Sequence, residues 1–321
     1  MPYAELHLHL EGTLEPELAF ELAERNHLTL PWRDTDDLRS RYNYGCLQDF
    51  LDLYYANMAV LRTEADFADL TDAYLARAAR AGVVRAEVFL DLQAHTARGV
   101  PAAVVLAGVT HALSRSEADH QVSSGLIVTF LRHLDAADAE RAYDEALATG
   151  VELLGIGLCS SEVGFPAAPF APLWDRARAD GLHTVAHAGE EGNASYVWEV
   201  LRELKVERID HGIRAMEDPS LVAYLVEHRI PLTACPLSNV HLKAVPNLAA
   251  HPLPEMLDAG LMVTVNSDDP AYFGGYLDDN LAAVRTAFGL DDAQIATLAA
   301  NSIEASFLPP TEKARLLAPT S

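Results

Sequence analysis

The stretch His7-Leu8-His9 carries side chains whose types and spacing suit metal binding. Alternate side chains of a strand share one face, so His7 and His9 should point the same way while Leu8 points the other. Two imidazoles on one face can close on a single metal ion, and Gly12 allows the backbone to turn away soon afterwards. A His-x-His pair alone is weak support for a metal site, so the interpretation requires partners from elsewhere in the chain.

Three other apolar segments end in residues that bind metals or transfer protons. These segments are followed or closed by His187-Ala188-Gly189-Glu190, Asp210-His211-Gly212 and Asn266-Ser267-Asp268-Asp269. A catalytic zinc site takes a few nitrogen or oxygen ligands and leaves one position open for water. The predicted metal ligands are His7, His9, His187 and Asp268.

Hydrolysis at an electrophilic carbon is the chemistry expected of such a site. A zinc ion lowers the pKa of a bound water towards neutrality and so makes a nucleophile available. Glu190, three residues beyond His187, is the predicted general acid and base. His211 is expected to orient the attacking water, and Asp269 to hydrogen-bond the substrate.

Eight short apolar or β-branched segments alternate with helical patterns, which predicts a (β/α)8 barrel. The predicted strands are roughly 3–10, 83–90, 125–131, 151–158, 182–187, 208–211, 230–235 and 261–266. The predicted helices are roughly 15–25, 64–81, 101–118, 136–148, 169–180, 194–204, 220–228 and 252–259. Barrel enzymes build their sites at the carboxyl ends of the strands. The predicted site residues of this chain stand at or just after these ends.

The spacing of the segments is uneven between the first and second strands, where a helical insertion is expected over about 12–81. Amphipathic patterns at 15–25, 47–61 and 64–81, with a turn-rich segment at 30–37, predict helices that flank or cap the barrel mouth. Neither a linker nor a repeat interrupts the remainder. Residues 1–321 are therefore expected to form a single metal-dependent hydrolase barrel.

The composition narrows the classes of partner. A net charge of −24 repels phosphate backbones and anionic lipid headgroups, so neither nucleic acid nor a membrane surface is expected to bind. Cys46, Cys159 and Cys235 show no CxxC spacing, which argues against a disulfide framework or a structural zinc knuckle. The first strand follows Met1 too closely for an export signal, so a cytoplasmic protein is expected, and a homo-oligomer is left open.

The segments HLHLEG, VAHAGE, DHG, CPLSN and VNSDDP occur in this order, and with them the chain resembles the adenosine and adenine deaminase family of the amidohydrolase superfamily. The resemblance implies zinc at the four ligands named above and protonation of the purine N1 by Glu190. It further implies that His211 lies beside the attacking water and that Asp269 hydrogen-bonds the purine at N7. Gly189, next to Glu190, is expected to contact the substrate as well.

The substrate expected from the resemblance is the free base. The segments SSEVG, FLRHL, HTARGV, VAHAGEEG and DDPAYFGGYL resemble the adenine deaminase branch, whose members turn adenine into hypoxanthine in purine salvage. Members that act on adenosine usually carry aspartate where this chain has Glu11, and a small Ala-Gly pair after the fourth strand. We expect Glu11 to fill the space of the ribose and Glu162 to accept a hydrogen bond from the N9 hydrogen of adenine.

Alternatives remain at this point. Adenosine or an N6-substituted adenine could be the substrate, another metal-dependent hydrolase could use the same scaffold, and a purine-binding or zinc-storage protein could have kept it without turnover.

Binuclear relatives generally carry a carboxylated lysine at the end of the fourth strand, where this chain reads Gly157-Leu158-Cys159-Ser160-Ser161-Glu162. One zinc ion per chain is therefore expected, with iron or manganese as substitutes and with Glu162 as a conceivable bridge to a second metal. Cys159 occupies a position where the branch usually has aspartate.

Overall fold

The computed structural model of the chain describes residues 2–45 and 47–318. Eight parallel strands form one sheet in which neighbours follow chain order from β1 to β8. The strands are β1 (Tyr3–Glu5), β2 (Val83–Leu90), β3 (Ser123–Leu131), β4 (Gly155–Cys159), β5 (His183–Ala188), β6 (Arg208–His211), β7 (Leu232–Ala234) and β8 (Val263–Val265). Cys46, one of the three cysteines, lies outside the described residues.

The sheet closes through the segments that follow its first and last strands. The His9 N–H donates to the Asp268 carbonyl at 3.0 Å, and the Asp268 N–H donates to the His7 carbonyl at 3.1 Å. Leu8 and Asp268 accordingly form a parallel bridge beyond the regular strands. The sheet is thus a nearly closed barrel, which confirms the predicted (β/α)8 fold. The same hydrogen bonds bring three of the predicted site residues together.

Helices cover the outside of the barrel and its two ends. Those before β4 are α1 (Pro16–Arg25), α2 (Thr35–Arg39), α3 (Leu47–Met58), α4 (Glu64–Arg80), α5 (Leu92–Thr96), α6 (Ala102–Leu113), α7 (Ser116–His120) and α8 (Ala136–Ala148). Those after β4 are α9 (Ala171–Ala179), α10 (Ala194–Glu199), α11 (Pro219–Glu227), α12 (Pro236–His241), α13 (Leu253–Asp258), α14 (Pro270–Phe273), α15 (Leu277–Phe288), α16 (Asp292–Ala305) and α17 (Pro310–Leu317). Short 3₁₀ turns occur at Leu10–Thr13, Ala168–Phe170, Ile213–Glu217 and Leu248–Ala250, and a π turn at Val200–Leu204.

Helices α1 to α4 form the insertion between β1 and β2 that the sequence predicts. Its last helix begins at a capping box, in which the Thr63 side chain accepts from the Asp66 N–H and the Asp66 side chain accepts from the Thr63 N–H. The predicted turn segment 30–37 is shorter than expected, because Asp34 caps α2 by accepting the Asp37 N–H at 2.8 Å. Phe50 of α3 packs against Phe273, so this helix lies over the barrel mouth.

The chain after β8 is helical, which the predicted alternation did not include. Helix α16 starts with a second capping box, formed by Asp291 and Gln294. Its buried face packs beside the first strand, where the Ala4 N–H donates to the Ser302 hydroxyl at 2.9 Å. This helix thereby covers the seam between the last and first strands. Among the described residues, no helix is long and apolar enough to cross a membrane.

Candidate active site

Three imidazoles and one carboxylate converge at the carboxyl end of the barrel. One ligand atom from each of His7, His9, His187 and Asp268 lies within 4.8 Å of the others, and all four residues are buried. His9 Nε2 and His187 Nε2 are 3.2 Å apart, and His7 Nε2 is 3.4 Å from Asp268 Oδ1. A cation between these atoms would satisfy nitrogens that otherwise face one another in a buried space. The donor set therefore fits a divalent metal such as zinc.

The opposite ring nitrogens of these histidines meet oxygen atoms. His7 Nδ1 lies 2.9 Å from Thr233 Oγ1, and His187 Nδ1 lies 3.4 Å from Asp210 Oδ2. Burial by itself would raise the pKa of Asp210, but the His187 and His7 imidazoles outweigh it and lower that pKa to about 2. A carboxylate behind a metal-binding histidine fixes the orientation of the ring.

Asp91 lies behind His9 as Asp210 lies behind His187. Its Oδ1 is 3.4 Å from His9 Nδ1. It also accepts hydrogen bonds from the Thr129 hydroxyl at 2.5 Å and from the Cys159 thiol at 3.4 Å. Asp91 was not among the predicted site residues, although it directly follows the second predicted strand. The rule that found the other strand-end residues would have found it as well.

A second overlapping set of possible ligands shares two members with the first. His211 and Cys235 approach His7 and Asp268 closely enough to form a four-residue cluster of their own. Burial raises the pKa of the Cys235 thiol well above its usual range. Of the two sets, the one with three histidines and one aspartate is the set that the sequence motifs predict.

Glu190 lies at the edge of this cluster. Its Oε2 is 3.4 Å from His211 Nε2, and its Oε1 has no hydrogen-bond partner among the described residues. Burial raises the pKa of the Glu190 carboxyl well above its usual range, and the charges of Asp268 and Glu191 raise it further. Both effects favour the protonated carboxyl, which is the state that a general acid requires.

Asp269 is a second buried carboxyl whose pKa is raised. Burial, followed by the charge of Asp268, raises the pKa of Asp269 well above its usual range. A protonated carboxyl can donate a hydrogen bond, as a contact to an unprotonated ring nitrogen requires. Gly12 packs directly on this side chain, since a Cβ at position 12 would lie only 2.1 Å from Asp269 Oδ1. The glycine is needed for this close approach.

A cavity opens above these residues. Its polar floor is formed by the strand ends and its apolar roof mainly by α3. The lining consists of His9, Phe50, Leu51, Tyr54, Tyr55, Asp91, Leu131, Cys159, Ser160, His187, Glu190, His211, Leu242, Asp268 and Asp269. The helical insertion thus supplies one wall of the site.

The structure gives Glu162 a different position from the one the sequence suggested. The carboxylate accepts four consecutive backbone N–H groups, from Gly189 at 2.6 Å, Glu190 at 3.1 Å, Glu191 at 3.1 Å and Gly192 at 2.8 Å. Both oxygens are occupied in this way, and the side chain is not part of the cavity wall. Glu162 therefore holds the loop that carries Glu190.

Gly189 and Glu11 also lie behind the cavity wall. The Gly189 amide is used by Glu162, and its positive φ of 72° suits glycine. Glu11 Oε1 accepts the Asp91 N–H at 3.0 Å and lies 2.7 Å from His95 Nε2. Glu11 thus anchors the backbone of Asp91, which does line the cavity. The two contacts of Glu11 join residues 80 and 84 positions apart, so the local sequence does not show them.

The barrel, with a three-histidine and one-aspartate cluster at the carboxyl ends of its strands, defines a metal-dependent barrel hydrolase of the amidohydrolase type. A family model described as adenosine deaminase matches residues 2–319. The chain belongs to the adenosine deaminase family, and the resemblance predicted from its motifs is confirmed.

Individual relatives match along nearly the whole chain. An adenine deaminase from Streptomyces coelicolor is 58% identical over 315 residues, which cover 98% of this chain and 93% of the relative. The crystal structure of an adenine deaminase from Arthrobacter aurescens aligns with a TM-score of 0.97 at 56% identity, covering 98% of this chain and 97% of the other. An amidohydrolase from Burkholderia ambifaria with bound Zn aligns with a TM-score of 0.90 at 27% identity, covering 98% and 88%.

Proposed function

We propose that this protein is an adenine aminohydrolase, which converts adenine and water into hypoxanthine and ammonia in purine salvage. The observation that carries the proposal is the 58% identity to an adenine deaminase over 98% of the chain. The buried histidine and aspartate cluster supplies the chemistry that such a reaction needs. The substrate is accordingly a purine base.

We infer that one zinc ion is held by His7, His9, His187 and Asp268. A metal bound there supplies a Lewis acid, which lowers the pKa of water in its open position. The related amidohydrolase with bound Zn supports zinc as the metal, and the same ligand types accept iron or manganese. The end of β4 offers Cys159 in place of a bridging lysine, and the Glu162 carboxylate is occupied by four amides, which supports a single metal.

Proton transfer to the base is assigned to Glu190. Its protonated carboxyl donates to N1 of the purine, which makes C6 electrophilic. His211 and Asp268 orient the attacking water, whose oxygen forms a bond to C6. The exocyclic nitrogen takes up one proton of that water as its bond to C6 breaks, and it leaves as ammonia. The second water proton returns to Glu190 as the oxygen becomes the C6 carbonyl. Each of these groups faces the cavity.

Orientation of the purine is assigned to Asp269, whose protonated carboxyl donates to N7. We assign Glu162, Gly189 and Glu11 to the support of the site, because their polar groups bind neighbouring backbone or side chains. We further propose that residues 1–321 form one domain, with the insertion at about 12–81 as part of it. The contribution of α3 to the cavity wall supports this organisation.

A substrate panel tests the proposal. Zinc-loaded protein is mixed separately with adenine, adenosine and N6-methyladenine, and ammonia release is measured for each compound. We expect adenine to give the highest kcat/KM. A higher kcat/KM for adenosine would contradict adenine as the substrate but not the membership of the family. A higher kcat/KM for N6-methyladenine would indicate that the substrate is an N6-substituted adenine.

A further inference from the structure

A chain of buried side chains runs from His211 away from the cavity. His211 Nδ1 lies 3.5 Å from Asn239 Nδ2, and Asn239 Oδ1 lies 3.1 Å from His251 Nε2. At the far end, His251 Nδ1 accepts the Leu253 N–H at 3.1 Å. His251 is 2% exposed and Asn239 and His211 are equally enclosed. The asparagine belongs to the CPLSN segment, for which the reaction outlined above gives no role.

The Leu253 amide fixes the direction of each hydrogen bond between Leu253, His251, Asn239 and His211. A backbone N–H can only donate, so His251 Nδ1 is the unprotonated nitrogen of its ring. The neutral ring then carries its proton on Nε2 and donates to Asn239 Oδ1. This leaves the Asn239 amide nitrogen to donate to His211 Nδ1. Burial lowers the pKa of His251 to about 4, which agrees with a neutral ring.

The opposite orientation of the asparagine is excluded by the same contacts. A reversed amide would point its N–H groups at His251 Nε2, which already carries a proton. Two donors would then face each other in a buried space, where a polar group without a partner is unfavourable. The amide of Leu253 therefore determines the orientation of Asn239 from the far side of a ring.

We propose that Asn239 and His251 are positioning residues that fix the tautomer of His211, so that its proton is on Nε2 and faces the reacting atoms. His211 Nε2 lies 3.4 Å from Glu190 Oε2 and 4.0 Å from Asp268 Oδ2. An Nε2–H donor at this place hydrogen-bonds the attacking water, whereas the other tautomer would offer it only a lone pair. This inference rests on the proposed function and adds to it how the proton of His211 is kept on Nε2.

Matched variants separate this role from a merely structural one. Asn239→Asp keeps the shape but cannot donate to His211 Nδ1, so it should draw the proton of His211 to Nδ1. His251→Phe keeps the ring volume without a donor, whereas His251→Gln can place an amide N–H near the position of Nε2. We expect kcat for adenine to fall tenfold or more in Asn239→Asp and His251→Phe. The KM and the zinc content should change little. The kcat of His251→Gln should be at least fivefold higher than that of His251→Phe.

The tautomer is also read directly, without activity. Two-bond 1H–15N correlation spectra of histidine-labelled protein distinguish a protonated ring nitrogen from a bare one, and the signals missing from His211→Asn identify His211. We expect a bare Nδ1 in the wild type and a protonated Nδ1 in Asn239→Asp. A protonated Nδ1 in the wild type, or equal kcat in His251→Gln and His251→Phe, would overturn the proposal. Failure of the wild type to deaminate adenine would instead contradict the proposed function, and the spectra would still decide the tautomer.

Discussion

The substitution Glu162→Gln tests whether this carboxylate supports the catalytic loop or meets the substrate. In the structure its two oxygens accept four amide N–H groups from residues 189–192. Glutamine replaces one oxygen by an NH2 group. In the less costly orientation that group faces the Gly189 amide, so one donor loses its acceptor and the other three keep a neutral one.

The magnitude follows from the lost hydrogen bond. A hydrogen bond to a charged acceptor contributes about 1.5–3 kcal/mol, and a buried donor without a partner costs about 1–3 kcal/mol. We expect the free energy of unfolding to fall by about 3 kcal/mol, which corresponds to a decrease in Tm of about 5 °C or more for a domain of this size. Because Glu190 lies on the displaced loop, kcat should fall by about tenfold or more.

Thermal unfolding and adenine kinetics of the zinc-loaded protein measure both effects. Glu191→Gln is the matched control, since it removes a neighbouring carboxylate that also raises the pKa of Glu190 but leaves the four amide contacts in place. Unchanged Tm and kcat in Glu162→Gln, together with a raised KM for adenine or new activity on adenosine, would refute the reasoning. That result would restore the substrate contact expected from the sequence.

Three further substitutions and one pH–rate profile test the geometry of the site. Glu190→Gln should lower kcat by about 10²-fold or more while zinc stays bound, because general acid catalysis contributes about 10²–10⁴; a kcat near that of the wild type would exclude the assigned acid. Burial raises the pKa of Glu190, and the acid must carry its proton, so activity should be complete below that pKa and decline as the pH rises through it. If the pH–rate profile of Glu190→Gln keeps the same alkaline decline, the decline belongs to another group. Asp210→Asn should weaken zinc binding by about 10–100-fold, measured by competition with a chelator, because it removes the carboxylate behind His187; unchanged affinity would show that the ring needs no such support. Gly12→Ala should reduce kcat and destabilise the protein by about 1–3 kcal/mol, because its Cβ meets Asp269, and a structure with Asp269 unmoved would contradict this.

Much of the site was predictable because it depends on strand ends. Once the apolar segments are read as parallel strands, the residues that follow them must share one rim, whatever their distance in sequence. His187 and Asp268 are joined to the first histidine pair in this way, and the structure brings them within 4.8 Å. The insertion before β2 followed from the same spacing.

The parts that were not predicted depend on contacts between distant segments. Position 162 could be read as facing a substrate, because nothing local shows that four amides of another loop surround it. The role of Asn239 likewise depends on His251 and on a backbone amide that lies beyond a separate turn. In contrast, the capping box of Asp291 and Gln294 is a local signal, and α16 was predictable from it.

A titration of metal-free protein with zinc, followed by adenine turnover at each addition, tests the central claim most directly. The predicted ligands, three histidines and one aspartate, lie together at the carboxyl end of the barrel, and a thiol stands in place of a bridging lysine at β4. We predict that activity rises linearly and reaches its plateau at one zinc ion per chain. A plateau at two zinc ions per chain, or no conversion of adenine at any zinc content, would contradict the account.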